Sequence, residues 1–449
     1  MAPVTETGTP DGRAAGRQHL RVLVSSCLGS VIEFYDFLLY ASASALVFGP
    51  VFFSTLSPLA GTLASLGTFA AGYVARPLGG VVFGHVGDRL GRKRALLVTL
   101  VVMALASVAI GLLPPYERIG LWAPILLVLL RIIQGIAVGG EWGGATLMVA
   151  EHSRSRRGLW ASMVNAGAPV GLILSTLVLS LTAARTTEEQ FLEWGWRVAF
   201  LGSLVLLVVG VVVRRTVEES PLFRAEDGPR NRFPLAVLLR HHPRPVLLGI
   251  GVGFGAFALQ GTITTFTLAY GAQVGLRRQS ILDALTWASV AAAIGIVGFA
   301  ALSDRWGRRP VFISGAVATL VYSFLLFGLV RSGSAATLSL TLVVGLGLCQ
   351  AAMQGPLSAM FSEMFPTSVR YTGVSVVYQL ASLGAGLAPV LFAAILAATG
   401  TDQTLPLSAL LAVFVLISAG CAYAVPETSR TSLAATPDSL TSDAAGLLG

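Results

Sequence analysis

Gly87-Asp88-Arg89-Leu90-Gly91-Arg92-Lys93 closes one long apolar stretch of the chain, and Ser303-Asp304-Arg305-Trp306-Gly307-Arg308-Arg309 closes another 216 residues later. Two further pairs keep nearly the same offset. Glu151 with Arg157-Gly158 is answered by Glu363 with Arg370 and Gly373, and Glu219-Ser220-Pro221 by Pro426-Glu427-Thr428. Each of these elements follows an apolar run. The chain therefore reads as two repeated halves with a binding site at the midplane between them.

The runs themselves say what surrounds the halves. Of 449 residues, 54% are apolar and 12% are charged, against roughly 25% charged in a soluble protein. A soluble domain cannot hide that much apolar surface from water. Six runs, 20–48, 61–84, 95–113, 121–149, 160–181 and 198–213, make the first half. Runs 246–270, 281–302, 311–330, 338–361, 372–398 and 405–424 make the second. Each is close to the ~20 residues that cross about 30 Å of hydrocarbon. The expected fold class is an all-α integral membrane protein of twelve transmembrane helices in two six-helix bundles. Residues 1–19 read as a disordered tail, 20–213 as the first bundle and 214–245 as a linker with a short amphipathic helix. Residues 246–425 read as the second bundle and 426–449 as a second disordered tail.

A net charge of +8 and a pI near 9.9 raise the question of nucleic acid, and the distribution answers it. With the N-terminus inside, twenty-two of the thirty cationic side chains fall on the cytoplasmic side, six outside and two, Arg76 and Arg131, within spans. That is the positive-inside bias of a multi-pass inner-membrane protein with both termini cytoplasmic. Its surface partner is anionic lipid, and no nucleic acid is implied. Cys27, Cys349 and Cys421 lie inside spans without disulfide or metal-ligand spacing. No nucleotide loop or nucleophile elbow occurs, and the five histidines lie in or near loops. The chain reads as no enzyme, with no metal and no cofactor.

The D-R-x-G-R-[KR] turn in both halves resembles the hallmark of the major facilitator superfamily, over essentially all of 20–425. Glu33-Phe34-Tyr35-Asp36-Phe37, Arg76-Pro77-Leu78-Gly79-Gly80 and Arg131-Ile132-Ile133-Gln134-Gly135 continuing to Glu141-Trp142-Gly143-Gly144 are similar to signatures of its metabolite:proton symporters. That resemblance implies proton-coupled transport, by one chain, of an organic acid such as shikimate, 2-oxoglutarate or citrate, or of a zwitterion such as proline or betaine. It also implies a closed-gate network in which Asp88, Arg89, Arg92, Asp304, Arg305 and Arg308 meet Glu151, Arg157, Glu363 and Arg370. The plainer reading of these residues is loop charge that sets topology. Export or facilitated diffusion is the second functional reading, because the direction of flux is not written in the helices. A transporter-like sensor is the third. Ala168-Pro169-Val170-Gly171 matches only part of an antiporter signature.

Five ionisable residues at bilayer depth, Glu33, Asp36, Arg76, Arg131 and Glu141, all lie in the first half. Such residues are costly in hydrocarbon and mark functional sites. Asp36 with Arg131 is the expected coupling pair, since a first-helix aspartate and a fourth-helix arginine also pair in the sugar symporters this context resembles. A static ion pair orienting two helices is the alternative. Glu33 and Tyr40 flank Asp36 at i−3 and i+4, so the three share a face. Glu33 either shares the proton or fixes its helix. Arg76 suits a carboxylate ligand, or else snorkels or pairs with Glu141, whose own glycine-rich setting favours a structural role. In the second half Gln260, Thr264, Gln350, Gln354, Tyr378 and Gln379 are candidate cavity residues, with Asn165 in the first. The threonines can instead bond their own backbone.

Overall fold

In the computed structural model residues 12–90, 92–139, 146, 157–216, 234–332, 334–366, 369–400 and 403–429 are described, and among them every regular element is helical. Twelve long rods follow one another. The first half holds α1 (Gly12–Leu46), α2 (Pro58–Leu90), α3 (Arg92–Leu112), α4 (Trp122–Gly139), α5 (Arg157–Arg185) and α6 (Trp196–Thr216). The second holds α7 (Pro243–Gln273), α8 (Arg278–Trp306), α9 (Arg308–Arg331), α10 (Ala335–Glu363), α11 (Arg370–Thr399) and α12 (Leu405–Ala424). Among the described residues, α4 to α12 are long and apolar enough to cross a membrane by length and composition.

The apolar side chains point outward as well as inward. Val205, Val208, Val212, Ile294, Val321 and Leu416 are each more than half exposed, which water would penalise and lipid does not. The interior is correspondingly rich in small and polar groups. Within the first half α1 packs on α5, α2 on α4 and α3 on α6; within the second α7 and α9 pack on α12, and α8 on α10. The halves meet along α5–α8, α2–α11, α5–α10 and α1–α7.

Glycines set how close the rods come. A Cβ added at Gly135 would overlap the Gly72 carbonyl, one at Gly139 the Arg76 carbonyl, and one at Gly79 the Ile136 carbonyl. The four-residue glycine ridge of α4 therefore seats α2 backbone against backbone, the closeness that helices in lipid need because water gives no hydrophobic push.

Two segments differ from the sequence expectation. α1 begins at Gly12, so the end of the expected N-terminal tail is helical. The C-terminal residues 426–429 are docked on the bundle, because Glu427 accepts from the backbone N–H groups of Arg308 (2.9 Å) and Arg309 (3.0 Å), the first residues of α9. The turn before them holds Gly307 at φ 101°, where a side chain would be strained. The linker helix appears as Pro234–His241, with Leu238 buried.

Polar contacts bridge the seam between the halves at both ends. At the end bearing the repeated turn, Asp304 on α8 accepts from the backbone N–H groups of Gly158 (2.9 Å) and Leu159 (3.0 Å), so one half caps the first turn of α5 in the other. Arg308 pairs with Asp304 at 2.7 Å and with Glu363 at 3.3 Å, and Thr428 donates to Glu363. At the opposite end Arg278 donates to Glu188 at 2.8 Å, Ser180 donates to Asp283 at 2.7 Å, and Thr176 meets Thr286 at 2.9 Å.

Two outcomes test this packing. Gly79→Ala should cost about 1–3 kcal/mol through the overlap with the Ile136 carbonyl, lowering the thermal unfolding midpoint in detergent. Gly298→Ala, with open space around it, should leave the midpoint in place. Burial works against the Glu427 charge, but the N–H groups of Arg308, Ser429 and Arg309 outweigh it and hold the carboxyl below the usual carboxylate range. A lowered folded value makes the cap complete above the ordinary carboxylate pKa and lost as pH falls through the folded one. Hydrogen exchange at the Arg308 and Arg309 amides, corrected for intrinsic rate, should therefore quicken on acidification, and be fast at every pH in Glu427→Ala.

Candidate functional site

Asp36 sits mid-way along α1, completely buried. Ser203 on α6 donates to its Oδ1, Ser107 on α3 lies beside the same carboxyl, and Oδ2 has no hydrogen-bond partner among the described residues. The expected ion pair with Arg131 is not formed. Arg131 reaches Asp36 only through a relay, in which its Nη1 donates to Gln134 (3.1 Å) and Gln134 donates to Ser107 (2.7 Å). The reason is steric as well as electrostatic. The Arg131 guanidinium is held in an aromatic box, 3.9 Å from the Phe37 centroid, 4.2 Å from Tyr40 and 5.2 Å from Phe69. Gly72 makes the space, since a Cβ there would overlap Nε of Arg131.

The face expected to carry Glu33, Asp36 and Tyr40 together resolves into three directions. Glu33 is buried toward α11, near Tyr378. Asp36 turns to α6 and α3, and Tyr40 donates to Thr68 on α2 at 2.6 Å. α1 is surrounded by α2, α5, α6 and α7, so a modest angular offset along its axis changes the neighbour met.

Arg76 is 1% exposed and has a second aromatic box, with Phe37 at 5.1 Å, Tyr73 at 5.2 Å and Tyr378 of the other half at 5.7 Å. Its Nε donates to Gln379 on α11 at 2.8 Å. One ring, Phe37, therefore lies against both buried guanidiniums. Among the described residues no carboxylate pairs with either arginine, and Nη2 of Arg76 together with Nε and Nη2 of Arg131 lack hydrogen-bond partners.

A separate cavity between the halves, lined by neither arginine, has about 20 Å³, room for roughly one water. Five of the sequence candidates line it: Asn165, Gln260, Thr264, Gln350 and Gln354, with Leu38 and Ser289. Asn165 donates to Ser358 at 2.6 Å. Thr264 donates to the Gln260 carbonyl of its own helix at 2.9 Å, the local alternative open to a threonine. The buried Oε1 of Gln354 has no hydrogen-bond partner among the described residues. α7 and α10 are wound as π-helix at Thr262–Phe266 and Gly345–Gln350, the turns that put Thr264 and Gln350 on the cavity wall. Such turns are common at functional sites. Tyr378 and Gln379 do not line this cavity and belong to the Arg76 site.

Of the expected gate, Asp304, Arg308 and Glu363 come together. Arg305 is exposed and joins no ion pair among the described residues, and Arg370 donates to the Phe365 carbonyl at 3.0 Å. Glu141 and Glu151, and the side chains of Asp88, Arg89, Arg92 and Arg157, lie outside the described residues. Ser107, Gln134, Ser203 and Ser358, which complete the polar shells, carry no signal that sets them apart in the sequence. Asp283, which pins the opposite end, lies at the start of the run 281–302 and is not among the charges that the sequence singles out.

The sugar (and other) transporter family model matches residues 22–232, and the Major Facilitator Superfamily model matches residues 248–446. The inner membrane metabolite transport protein YhjE of Escherichia coli (strain K12) is 40% identical over 385 residues, 83% of this chain and 87% of that protein. The shikimate transporter of the same strain is 41% identical over 383 residues, 84% and 87% of the two chains. A proline/betaine transporter of Salmonella typhimurium is 33% identical over 414 residues, 88% and 81%. The crystal structure of a D-xylose-proton symporter superposes with a TM-score of 0.73 at 19% identity, covering 92% of this chain and 99% of that one, and so shares the fold. Two six-helix halves, a polar site in the seam between them and relatives of this closeness place the chain in the major facilitator superfamily, as a multi-pass membrane transporter and not an enzyme.

Proposed function

We propose that the chain carries a small metabolite bearing a carboxylate across the bacterial inner membrane, together with a proton, by rocking one half against the other. The observation that carries this reading is the pair of buried guanidiniums, Arg76 and Arg131, both against the Phe37 ring with no carboxylate partner among the described residues. Two like charges out of water are costly to hold, and an anion between the halves relieves that cost. Shikimate, proline and betaine, named for the relatives, each bear a carboxylate. The amide and hydroxyl groups of Asn165, Gln260, Gln350 and Gln354 then read the rest of the molecule, with the open Oε1 of Gln354 waiting for a hydroxyl or N–H.

Asp36 supplies the coupling. One of its oxygens has no partner among the described residues, and Arg131 stands one relay away. A proton and the Arg131 guanidinium compete for the same carboxylate. Motion of α4 toward α1 expels the proton, and its return admits one. The Asp304 cap on α5 and the Glu188–Arg278 pair open in turn, so that only one end of the seam is open at a time. Basic residues gathered at the repeated-turn end support a cytoplasmic placement of that end and of both termini. One chain supplies both walls of the cavity and is the functional unit, and the proton is the coupling ion.

Reconstitution into proteoliposomes with an imposed pH gradient tests this. Shikimate, proline or glycine betaine should accumulate with proton entry. Asp36→Asn should abolish accumulation while leaving exchange of substrate across the membrane. Arg76→Gln should weaken binding by roughly ten- to a hundredfold, the worth of a charge-assisted hydrogen bond at about 1.5–3 kcal/mol. Uptake indifferent to the gradient and intact in Asp36→Asn would replace symport with facilitated passage.

A further inference from the structure

Gln379 projects from α11, in the second half, and both ends of its amide are engaged on the first. Its Oε1 accepts from Nε of Arg76 on α2 at 2.8 Å, and its Nε2 donates to the Gly139 carbonyl on α4 at 2.9 Å. A guanidinium can only donate and a carbonyl can only accept, so the orientation of this amide is dictated by its partners. Gln379 is 2% exposed, and neither bond faces competition from bulk water.

The way it occupies Arg76 is incomplete. The side-on fork of an arginine is made by Nε and Nη2, which suit the two oxygens of one carboxylate. Gln379 fills Nε alone, and Nη2 is buried without a hydrogen-bond partner among the described residues. A neutral amide oxygen is thus holding half of a place shaped and charged for a carboxylate. Both bonds are made by the two ends of one planar amide, so a side chain whose oxygen is driven off Arg76 carries its Nε2 away from Gly139 as well. Tyr378, its chain neighbour, forms one wall of the Arg76 aromatic box, so movement of α11 also opens that box.

We propose that Gln379 is an internal stand-in for the substrate carboxylate at Arg76, and that the arriving carboxylate displaces it and so unlatches α11 from α2 and α4 together. The proposal rests on the reading above that the cargo bears a carboxylate. A carboxylate brings a full negative charge and a second oxygen for Nη2, neither of which the amide oxygen offers, so the exchange runs forward for an anion and not for a neutral molecule of the same shape. Gln379 then acts as a positioning residue that converts the charge of the cargo into freedom of the seam. Cargo of the wrong charge finds the latch shut.

The experiment uses the full chain in lipid nanodiscs, with the three cysteines replaced by serine and spin labels at Val98 and Trp306, exposed positions of α3 and α8 in different halves. The probes are shikimate, proline and glycine betaine, with methyl shikimate as the neutral counterpart. In the otherwise unaltered chain a carboxylate probe should shift the distance distribution and the ester should leave it in place. Gln379→Leu should show the shifted distribution without any probe, and bind the carboxylate about tenfold more tightly, no amide having to be displaced. Gln379→Glu, which carries its own carboxylate to Arg76, should bind it at least about tenfold more weakly while its unfolding midpoint is kept or raised. An unshifted Gln379→Leu distribution would overturn the latch. Weaker binding in Gln379→Leu, comparable to Arg76→Gln, would make Gln379 a direct substrate contact and overturn the displacement. Should none of the three probes bind the unaltered chain while Gln379→Leu still opens, the carboxylate reading and the displacement fall together and the latch alone stands.

Discussion

Positive charge held out of water between two helical bundles is the constraint around which the rest of this molecule is arranged. Arg76 and Arg131 are each all but inaccessible to solvent, and among the described residues they are made tolerable by aromatic faces and not by carboxylates. Phe37, Tyr40, Phe69, Tyr73 and Tyr378 turn their rings to the two guanidiniums, and a cation over a desolvated ring gains on the order of 2 kcal/mol. That is less than full solvation. The remaining deficit is what makes the seam receptive to an anion and sensitive to the proton on Asp36.

Bringing the arginines there requires backbones to touch. The α4 ridge of Gly135 and Gly139 seats α2 against it, and Gly72 leaves the space that the Arg131 side chain fills. Small residues thus have two roles in this bundle, and only one of them is packing for its own sake. The seam also carries polar contacts. Asp304 capping α5, Asn165 on Ser358, Gln379 on Arg76 and Gly139, and Ser180 on Asp283 are all bonds that can be remade elsewhere at small net cost. An apolar seam of equal area would resist separation, whereas these contacts can be exchanged one set at a time.

The architecture was legible in the sequence to a large degree. Twelve runs, two repeated halves and a glycine at the second repeated turn appear in the structure as twelve rods, two bundles and Gly307 at positive φ. Asp304, Arg308 and Glu363 assemble as their echoes implied. The site was legible by residue type and less so by partner. Asp36 and Arg131 are both buried at the centre, yet Gln134 and Ser107 stand between them. Gln260, Thr264, Gln350, Gln354 and Asn165 line one cavity, while Tyr378 and Gln379, grouped with them by composition, serve Arg76 instead. The Pro426-Glu427-Thr428 echo, which looks like an ordinary tail, caps α9.

The division follows from how far each interaction reaches along the chain. Helix formation, span length, the turn glycines and the sign of the loops depend on neighbours a few residues away and on the solvent outside, so the chain by itself determined them. Partner choice at the site does not. Arg76 and Gln379 are 303 residues apart, Gly139 and Gln379 are 240 apart, and Asn165 and Ser358 are 193 apart. Which buried donor meets which acceptor is settled only when two bundles close to within hydrogen-bonding distance, where a rotation of α1 by a fraction of a turn sends Asp36 to Ser203 instead of Arg131. That choice belongs to the tertiary structure, because buried polar groups must be satisfied by whatever the packing places within about 3 Å of them.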